Sequence, residues 1–493
     1  MRRILAGLAI SVCASCSVGP DYVRPEIQAP PAYKELDGWK TAQPSDTVAR
    51  GPWWEVFGDP ALNQLEQEAD VANQTVAAAF ASYQQARALV AAARASYYPT
   101  ITVGIGATKG RTSQTLTNGI SVRHTSTNYI LPLDASWEID LWGRVRRSVE
   151  SAEAAAEASA GDFETARLSL QAELASDYFQ LRGDDAEIDL LNHSVSDYER
   201  SLQVTQNRYQ AGVAGRADVL QAETLLESTR AQAIDVAVFR AQLEHAIAVL
   251  IGQPAELLTL PPQPLDVTPP SVPVGVPSQL LERRPDIAAA ERRVASANAE
   301  IGFERAAYFP ALTLSASAGF ETSDASKWFE WASRFWSVGP ALSETVFDGG
   351  LRGAQTDQAR AAYDQAVADY RQSALVAFQE TEDSLAELRL LEQESLAQAA
   401  AVSAATESVR IANNQYQAGT INYLDVVVVE TAELNSARSA VDISSRRMVA
   451  AVSLVKALGG GWEGAPTTAP TAPPPGSPPA PPPAPPPTPT PQP

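Results

Sequence analysis

The chain is nearly empty of sulfur and poor in rings. Its 493 residues include 2 cysteines and 2 methionines, and aromatic side chains make up 7%. Cys13 and Cys16 both lie at the start, so neither a disulfide framework nor a cysteine metal site can organise the body. The 3 histidines, His124, His193 and His245, have no ligand spacing to one another or to an acid cluster. Positive charge is scarce too. Lys+Arg total 37 against Asp+Glu 58, a formal net charge of −21, which leaves no basic surplus for nucleic-acid phosphates. No stretch approaches the ~20 apolar residues of a membrane-spanning helix. No phosphate-binding glycine loop and no nucleophile elbow occur. The stretch GIGATKG (Gly104 to Gly110) imitates the first poorly, inside a strand-like region. Enzyme chemistry is not what this chain is built for, and no cofactor is expected.

Proline is plentiful but unevenly placed. There are 36 in all, yet none from Leu133 to Gln253 and none from Ala341 to Ala465. Proline interrupts helix interiors and alanine favours them, so the two gaps predict long helices. In the first gap Leu174, Leu181, Ile188, Val195, Leu202 and Tyr209 fall on every seventh residue, with Leu191 and Tyr198 three places after two of them. That is the seam of helices packed nearly parallel. The second gap keeps Leu388, Val402, Val409 and Tyr416 on such a grid. A helix from about Asp140 to Gln210 would be about 105 Å long, with Gly183 as a point of weakness where it can break. A second arm, about Val219 to Leu250, returns antiparallel.

The chain also repeats itself. RYQAGVAGRADVLQAE (Arg208 to Glu223) returns as QYQAGTINYLDVVVVE (Gln415 to Glu430), a shift of 207 positions. ASYYP (Ala95 to Pro99) answers AAYFP (Ala306 to Pro310), IDLWG (Ile139 to Gly143) answers FDGG (Phe347 to Gly350), and VLIGQ (Val249 to Gln253) answers KALGG (Lys456 to Gly460). The shift drifts slowly from 211 to 208 to 207 along these pairs, as in a duplicated unit with small loop changes. A proline-rich linker joins the halves. Each YQAG glycine suits the left-handed position that ends a helix. Asp218 and Asp425 follow, where an acid near a helix start gains about 0.3–1 kcal/mol from the helix dipole.

Between YYP and IDLW, and again between YFP and FDGG, the apolar period falls to two. Ile101, Val103 and Ile105 alternate with Thr and Gly, and Tyr129, Leu131, Leu133, Ala135, Trp137 and Ile139 alternate with mostly polar neighbours. Leu312, Leu314, Ala316, Ala318 and Phe320 do the same, while FWSVGPALSETV alternates less cleanly. Such strands fit either a transmembrane barrel or two hairpins half-buried on a helical body. The membrane reading makes a further demand. Four strands cannot close a barrel, and open edges in lipid are costly, so several chains must share one. Three copies would give twelve strands.

The amino-terminus, MRRILAGLAISVCASC, is a charged then apolar export signal too short to span a bilayer. Its CASC resembles a lipoprotein box that would acylate Cys16, with Cys13 where leucine is usual; a plain signal cut after small residues is the other reading. The tail from Ala465 is proline-rich and fits an extended spacer without a core.

Taken with CSVGPDYVRPE (Cys16 to Glu26), WWEVFGDPAL (Trp53 to Leu62), LLERRPDIAAAERRVASANAEIGFERAAYFP (Leu280 to Pro310) and the paired YQAG turns, the chain resembles the TolC-type outer-membrane efflux proteins, in the lipoprotein subgroup that serves resistance–nodulation–division pumps. The resemblance implies a mixed, mainly α fold. A homotrimer would share a 12-stranded β-barrel in the outer membrane, continued by a long α-helical barrel into the periplasm. It implies the boundaries 1–15 for the signal, 16–60 for a lipidated segment, 61–252 and 278–462 for two repeats, 253–277 for the linker and 463–493 for the tail. Their strand hairpins would lie at about 100–139 and 311–347. The protein would be a passive exit duct for small molecules such as drugs, anchored in outer-membrane lipid through Cys16, where the following Ser17 fits the outer membrane. A periplasmic adaptor and an inner-membrane pump would be its partners.

The same resemblance places Gly212 and Val213, with Gly419 and Thr420, at tips that dock the adaptor, and Asp218, Tyr416, Asp425 and Val428 at a periplasmic gate. Where relatives carry a clamping arginine and a second aspartate ring, this chain has Ile421 and Val428. Apolar packing of Val426 to Val429 could then seal the mouth, with Arg216 as a substitute partner for Asp218 or Asp425. Outlets for metal efflux or type I protein secretion, and a structural coiled-coil envelope lipoprotein, are the rival readings.

Overall fold

A computed structural model describes residues 18–30, 32–34, 52–111, 125–265, 268–270 and 283–460. The signal at 1–15, Cys16, linker residues 271–277 and the tail at 463–493 lie outside the described residues. Two short helices, α1 (Pro60–Ala72) and α2 (Gln74–Ala95), lead into strands β1 (Thr100–Val103), β2 (Gly106–Arg111) and β3 (Thr125–Ile139). The long α3 (Arg144–Gln210) and α4 (Arg216–Leu250) follow. The second half runs α5 (Pro285–Ala306), β4 (Ala311–Thr322), β5 (Arg334–Ser343), α6 (Leu351–Gln417) and α7 (Tyr423–Ala457).

Both long helices, α3 and α6, have 67 residues, and both returning helices, α4 and α7, have 35. At 1.5 Å per residue these are about 100 Å and about 50 Å, so each return covers half of its partner. The other half is covered by α2 and α5, of 22 residues each, which pack along the strand-proximal part of α3. Each long helix starts at a corner built by an aspartate. Asp140 accepts from the backbone N–H of Val145 at 3.2 Å and of Arg146 at 3.0 Å, and Asp348 from those of Gly350 at 2.9 Å and Arg352 at 3.3 Å. The Arg352 side chain, then the Gly350 N–H, holds the Asp348 carboxyl below its usual range. IDLWG and FDGG are therefore strand-to-helix caps. Helix begins at Arg144 because Asp140 is spent on the cap, and Gly143 takes φ 83°.

The strands form one antiparallel sheet in which β1 and β2 both pair with β3, then β4, then β5. β1 and β2 are one strand in register, since Val103 faces Leu133 and Gly106 faces Ile130. The ladder lapses between them at Pro132. Its carbonyl accepts from Gly104 at 3.0 Å, but proline has no N–H to return. Across the sheet, Ile101, Ala135, Ala316 and Val338 form one row and Val103, Leu133, Ala318 and Trp336 another. The row between them is Thr102, Asp134, Ser317 and Ser337. One face is apolar and the other polar, and Trp336 and Val338 show that β5 alternates as well as the others once its register is set. Ile101, Val103, Trp336 and Val338 are exposed on the single chain.

The core lies midway along the helices. Leu174, Tyr178, Phe179 and Leu181 of α3 meet Leu62 of α1, Phe57 before it, and Met448 and Leu454 of α7. Glu66 is wholly buried there, and among the described residues neither of its oxygens has a hydrogen-bond partner. Burial first, then Asp70, pushes its carboxyl up to about 9, so it is neutral at pH 7. Beside this core, Asp185 binds Arg182 at 3.0 Å and Arg240 at 2.9 Å, and accepts from the Gln263 N–H at 3.0 Å. The chain leaving α4 is thereby tied back to the helical hairpin.

Gly183 does not break α3. The helix runs through it, and a Cβ there would stand 2.7 Å from Ser445 Oγ and 2.8 Å from Ser445 Cβ on α7. The glycine lets α3 and α7 approach closely at mid-height. The second arm likewise begins at Arg216, one turn before Val219.

Helix propensity alone would make Gly183→Ala stabilising by about 1 kcal/mol. We expect the clash with Ser445 to reverse the sign, to a loss of about 1–3 kcal/mol, and Ser445→Gly in the same chain to recover most of it; thermal unfolding of the three variants decides. By the same measurement Asp185→Ala, which takes the carboxylate partner from the buried Arg182 while Arg240 keeps Glu244, should cost about 3–5 kcal/mol. Asp189→Ala, one turn away and exposed, should stay within about 0.5 kcal/mol.

Candidate functional site at the paired helix tips

The end of the helical body farthest from the sheet is made by the two YQAG turns. Gly212 takes φ 75° and Gly419 φ 79°, the left-handed conformation that glycine adopts without penalty. In the first turn the N–H of Gly212 donates to Tyr209 at 2.9 Å and that of Val213 to Arg208 at 2.8 Å. In the second, Gly419 donates to Tyr416 and Thr420 to Gln415, both at 3.0 Å. These paired bonds are the Schellman cap, which satisfies the last carbonyls of a helix. Gly212, Val213, Gly419 and Thr420 are all exposed.

The returning helices start with a second matched device. Asp218 Oδ2 accepts from the N–H of Gly215 at 3.0 Å, and Asp425 Oδ2 from that of Asn422 at 3.2 Å. Each aspartate sits in the first turn of its helix and satisfies a free donor while its charge faces the positive end of the helix dipole. Their capping role is plain in the single chain. Arg216 pairs with neither aspartate among the described residues.

The tips touch through residues that differ between the copies. Arg208 lies over the ring of Tyr416, 4.5 Å from its centroid, and donates to the Gln417 carbonyl at 3.3 Å. Tyr416 packs against Tyr423 at 5.3 Å, and the Tyr423 hydroxyl lies 3.1 Å from that of Ser201. Tyr198 donates to the Glu430 carbonyl at 3.3 Å. Motif matching missed Arg208, Tyr423, Ser201 and Tyr198. The available signal was asymmetry: the repeat changes Arg208 to Gln415 and Asp218's neighbour Ala217 to Leu424. Tyr209 and Tyr416 are equivalent in the repeat, yet the first is 46% exposed and the second 6%.

On α7, Tyr423, Val426 and Glu430 form the buried stripe, at spacings of three and four, while Leu424, Asp425 and Val428 are exposed together. The valine run therefore divides. Val426 is fully buried against Tyr416, Tyr423 and Ala222 of its own chain and Val428 is 60% exposed. Among the described residues no cluster of His, Cys, Asp or Glu could hold a metal ion, and no helix is long and apolar enough to cross a membrane.

The model of the outer membrane efflux protein family matches residues 65–253 and 276–460. The chain belongs to that family. It is 31% identical to the probable efflux pump outer membrane protein TtgC of Pseudomonas putida over 472 residues, 94% of this chain and 96% of that one. Outer membrane protein OprJ of Pseudomonas aeruginosa is 30% identical over 474 residues, 94% of this chain and 97% of that one. The solved outer-membrane channel OprN matches with a TM-score of 0.85 at 32% identity, over 91% of this chain and 100% of that one. The efflux protein thus has the mainly helical TolC-type channel fold and serves as an outer-membrane component of an efflux pump.

Gly419→Ala tests the tip geometry of this efflux protein. No atom lies within 4 Å of a Cβ built there, so the cost should be conformational alone, about 1–2 kcal/mol. Gly212→Ala should cost the same. Denaturant unfolding checks both, and hydrogen exchange should show the loosening confined to the ends of α3 and α6.

Proposed function

We propose that three copies of this chain close one twelve-stranded barrel in the outer membrane and continue it as a helical duct into the periplasm, through which small molecules such as drugs leave passively. The observation that carries this reading is the sheet. Among the described residues its β1/β2 and β5 edges have no partner, and its apolar row of Val103, Leu133, Ala318 and Trp336 faces away from its polar row. An open edge in hydrocarbon leaves backbone groups unsatisfied, and four strand positions from each of three chains remove every edge.

Lipid on Cys16 fits the same placement. Val18 donates its N–H to Trp142 at the strand-to-helix corner, at 3.0 Å, so two residues at about 3.5 Å each separate that corner from Cys16. The segment then runs along the helices, held by Arg147 to Asp21 at 3.1 Å and by Arg24 to Tyr370 at 3.0 Å. In this reading residues 1–15 are removed, 16–60 carry the anchor, 61–252 and 278–462 are the repeats, and 463–493 is a periplasmic tail. The exposed tips at Gly212, Val213, Gly419 and Thr420 receive a periplasmic adaptor, which couples the duct to an inner-membrane pump of the resistance–nodulation–division class.

The gate is the exposed face of α7. Asp425 and Val428 turn away from the protomer's own core, so three copies would bring three carboxylates and three valines around one axis. Like charges so placed favour cations. Asp218 and Tyr416 hold that face in position, the first by capping α4 and the second by wedging between the hairpins.

Conductance in planar bilayers tests this with two variants. Asp425→Asn keeps an oxygen for the Asn422 N–H but removes the charge, so cation selectivity should fall while stability stays. Asp425→Ala should lose both selectivity and about 0.5–2 kcal/mol of stability. Selectivity unchanged in Asp425→Asn would move the gate away from Asp425. A folded, inserted protein without conductance would make it a structural lipoprotein.

A further inference from the structure

Above the tips, α3, α6 and α7 enclose a cleft of about 590 Å³. Its floor is buried, with Tyr198, Tyr416 and Leu434 each 6% exposed and Glu430 5%. Among the described residues two polar atoms of that floor have no hydrogen-bond partner: Glu430 Oε2 and the Tyr416 hydroxyl. A buried polar atom left unbonded is costly and rare in folded proteins. Two such atoms in one cleft large enough for a small ligand mark a place shaped for a polar occupant.

The charges around Glu430 say which kind. From α3 the cleft receives Asp197, Arg200 and His193 besides Tyr198; from α6, Asn413 and Tyr416; on α7 itself, Glu433. Tyr423 stands behind Tyr416. Arg200 is already paired with Asp197 at the exposed rim, and Arg208 lies over the Tyr416 ring and donates to the Gln417 carbonyl, its Nε unbonded among the described residues. Asn413 hydrogen-bonds the Glu430 carboxyl but brings no charge. Among the described residues neither Glu430 nor Glu433 has an ion-pair partner. The two acids are three apart on one helix face, about 5–6 Å between β-carbons. That is the separation of neighbouring ammonium groups in a linear polyamine.

We infer that this cleft binds a linear polyamine, one ammonium group donating to Glu430 Oε2 and to the Tyr416 oxygen and the next lying against Glu433. A hydroxyl oxygen accepts as well as donates, so an ammonium group can bond either orphan atom. The occupant would bridge α3 of the first hairpin and α6 and α7 of the second. This site lies off the exposed Asp425 face, shares Tyr416 with the proposed gate, and is tested by binding and not by conductance.

Its pH dependence follows from burial. Burial pushes the Glu430 carboxyl up to about 7, against the Asn413 hydrogen bond and with Glu433 and Asp197 adding to the rise. A bound cation favours the carboxylate. Above about pH 7 the site is already ionised and affinity is flat; below it the Glu430 proton must leave to buffer as the polyamine enters. Affinity should then fall about tenfold per pH unit.

Titration calorimetry of the full-length protein in detergent, with spermidine as the probe, tests this at pH 8 and pH 6 in two buffers of different ionisation heat. Saturable binding at pH 8, weakened at pH 6 with proton release, is the expected result. Glu430→Gln should weaken binding at pH 8 by about tenfold or more and abolish the pH dependence. Tyr416→Phe should weaken binding while leaving the unfolding midpoint in place, because it deletes only an unbonded hydroxyl. Glu394→Gln, an exposed acid elsewhere on α6, should change nothing. No saturable heat at pH 8 overturns the inference. So does equal binding by wild type, Glu430→Gln and Tyr416→Phe, which would be diffuse attraction to an acidic surface. Should Glu430→Gln fail to fold, an unchanged affinity in Tyr416→Phe is enough to overturn it.

Discussion

Backbone hydrogen bonding in the sheet is the constraint on which the rest of this molecule depends. Each half of the chain contributes one hairpin, and the β3–β4 pairing joins them across a sequence separation that no local turn could specify. That pairing brings Asp140 and Asp348 to the same level, so that α3 and α6 leave the sheet side by side. The corners are short and rigid because each aspartate takes up the first donors of its helix. Everything beyond them, to the tips about 100 Å away, inherits its placement from these two turns.

Length matching sets the helical body. A returning helix half as long as its partner leaves the other half uncovered, and α2 and α5 supply the missing apolar surface. The junction falls at the middle, where the largest core lies and where Asp185, Arg182 and Arg240 bind the chain that leaves α4. Buried ion groups of this kind add little net stability, but removing Asp185 leaves the buried Arg182 without its carboxylate, while Arg240 keeps Glu244. Their effect here is to fix one path for the connection between halves. Glu66 takes the opposite course: with no partner it gives up its charge.

The tips show how a duplicated sequence acquires two roles. The glycine caps and the aspartates are the same in both copies and do the same local work. Arg208 has no counterpart at Gln415, and it is this cation that settles on Tyr416 and draws the second tip against the first. Once Tyr416 is buried, its hydroxyl and Glu430 face a cleft that neither hairpin closes alone, while Tyr209 in the equivalent place stays in solvent. The exposed face of α7 is left with Leu424, Asp425 and Val428 turned outward.

Much of the architecture was legible because it is periodic or punctuated. Proline-free spans, a seven-residue grid, two-residue alternation and paired glycines each reflect a local rule, and the long helices, four strand positions and two capped turns followed from them. A tertiary contact overrides a local preference at Gly183, which is a close approach and not a break, and Val426 to Val429 divide between core and surface because helix periodicity separates neighbours. The alternation of β5 became visible only when its register against β4 was known. The sequence by itself determined which elements form and where they end, since caps, breaks and amphipathic periods depend on residues a few places apart. Tertiary structure alone decided which face of each element is buried, which copy of a repeated tyrosine becomes core, and which carboxylates are left without a partner, since each of these depends on residues brought together from distant parts of the chain.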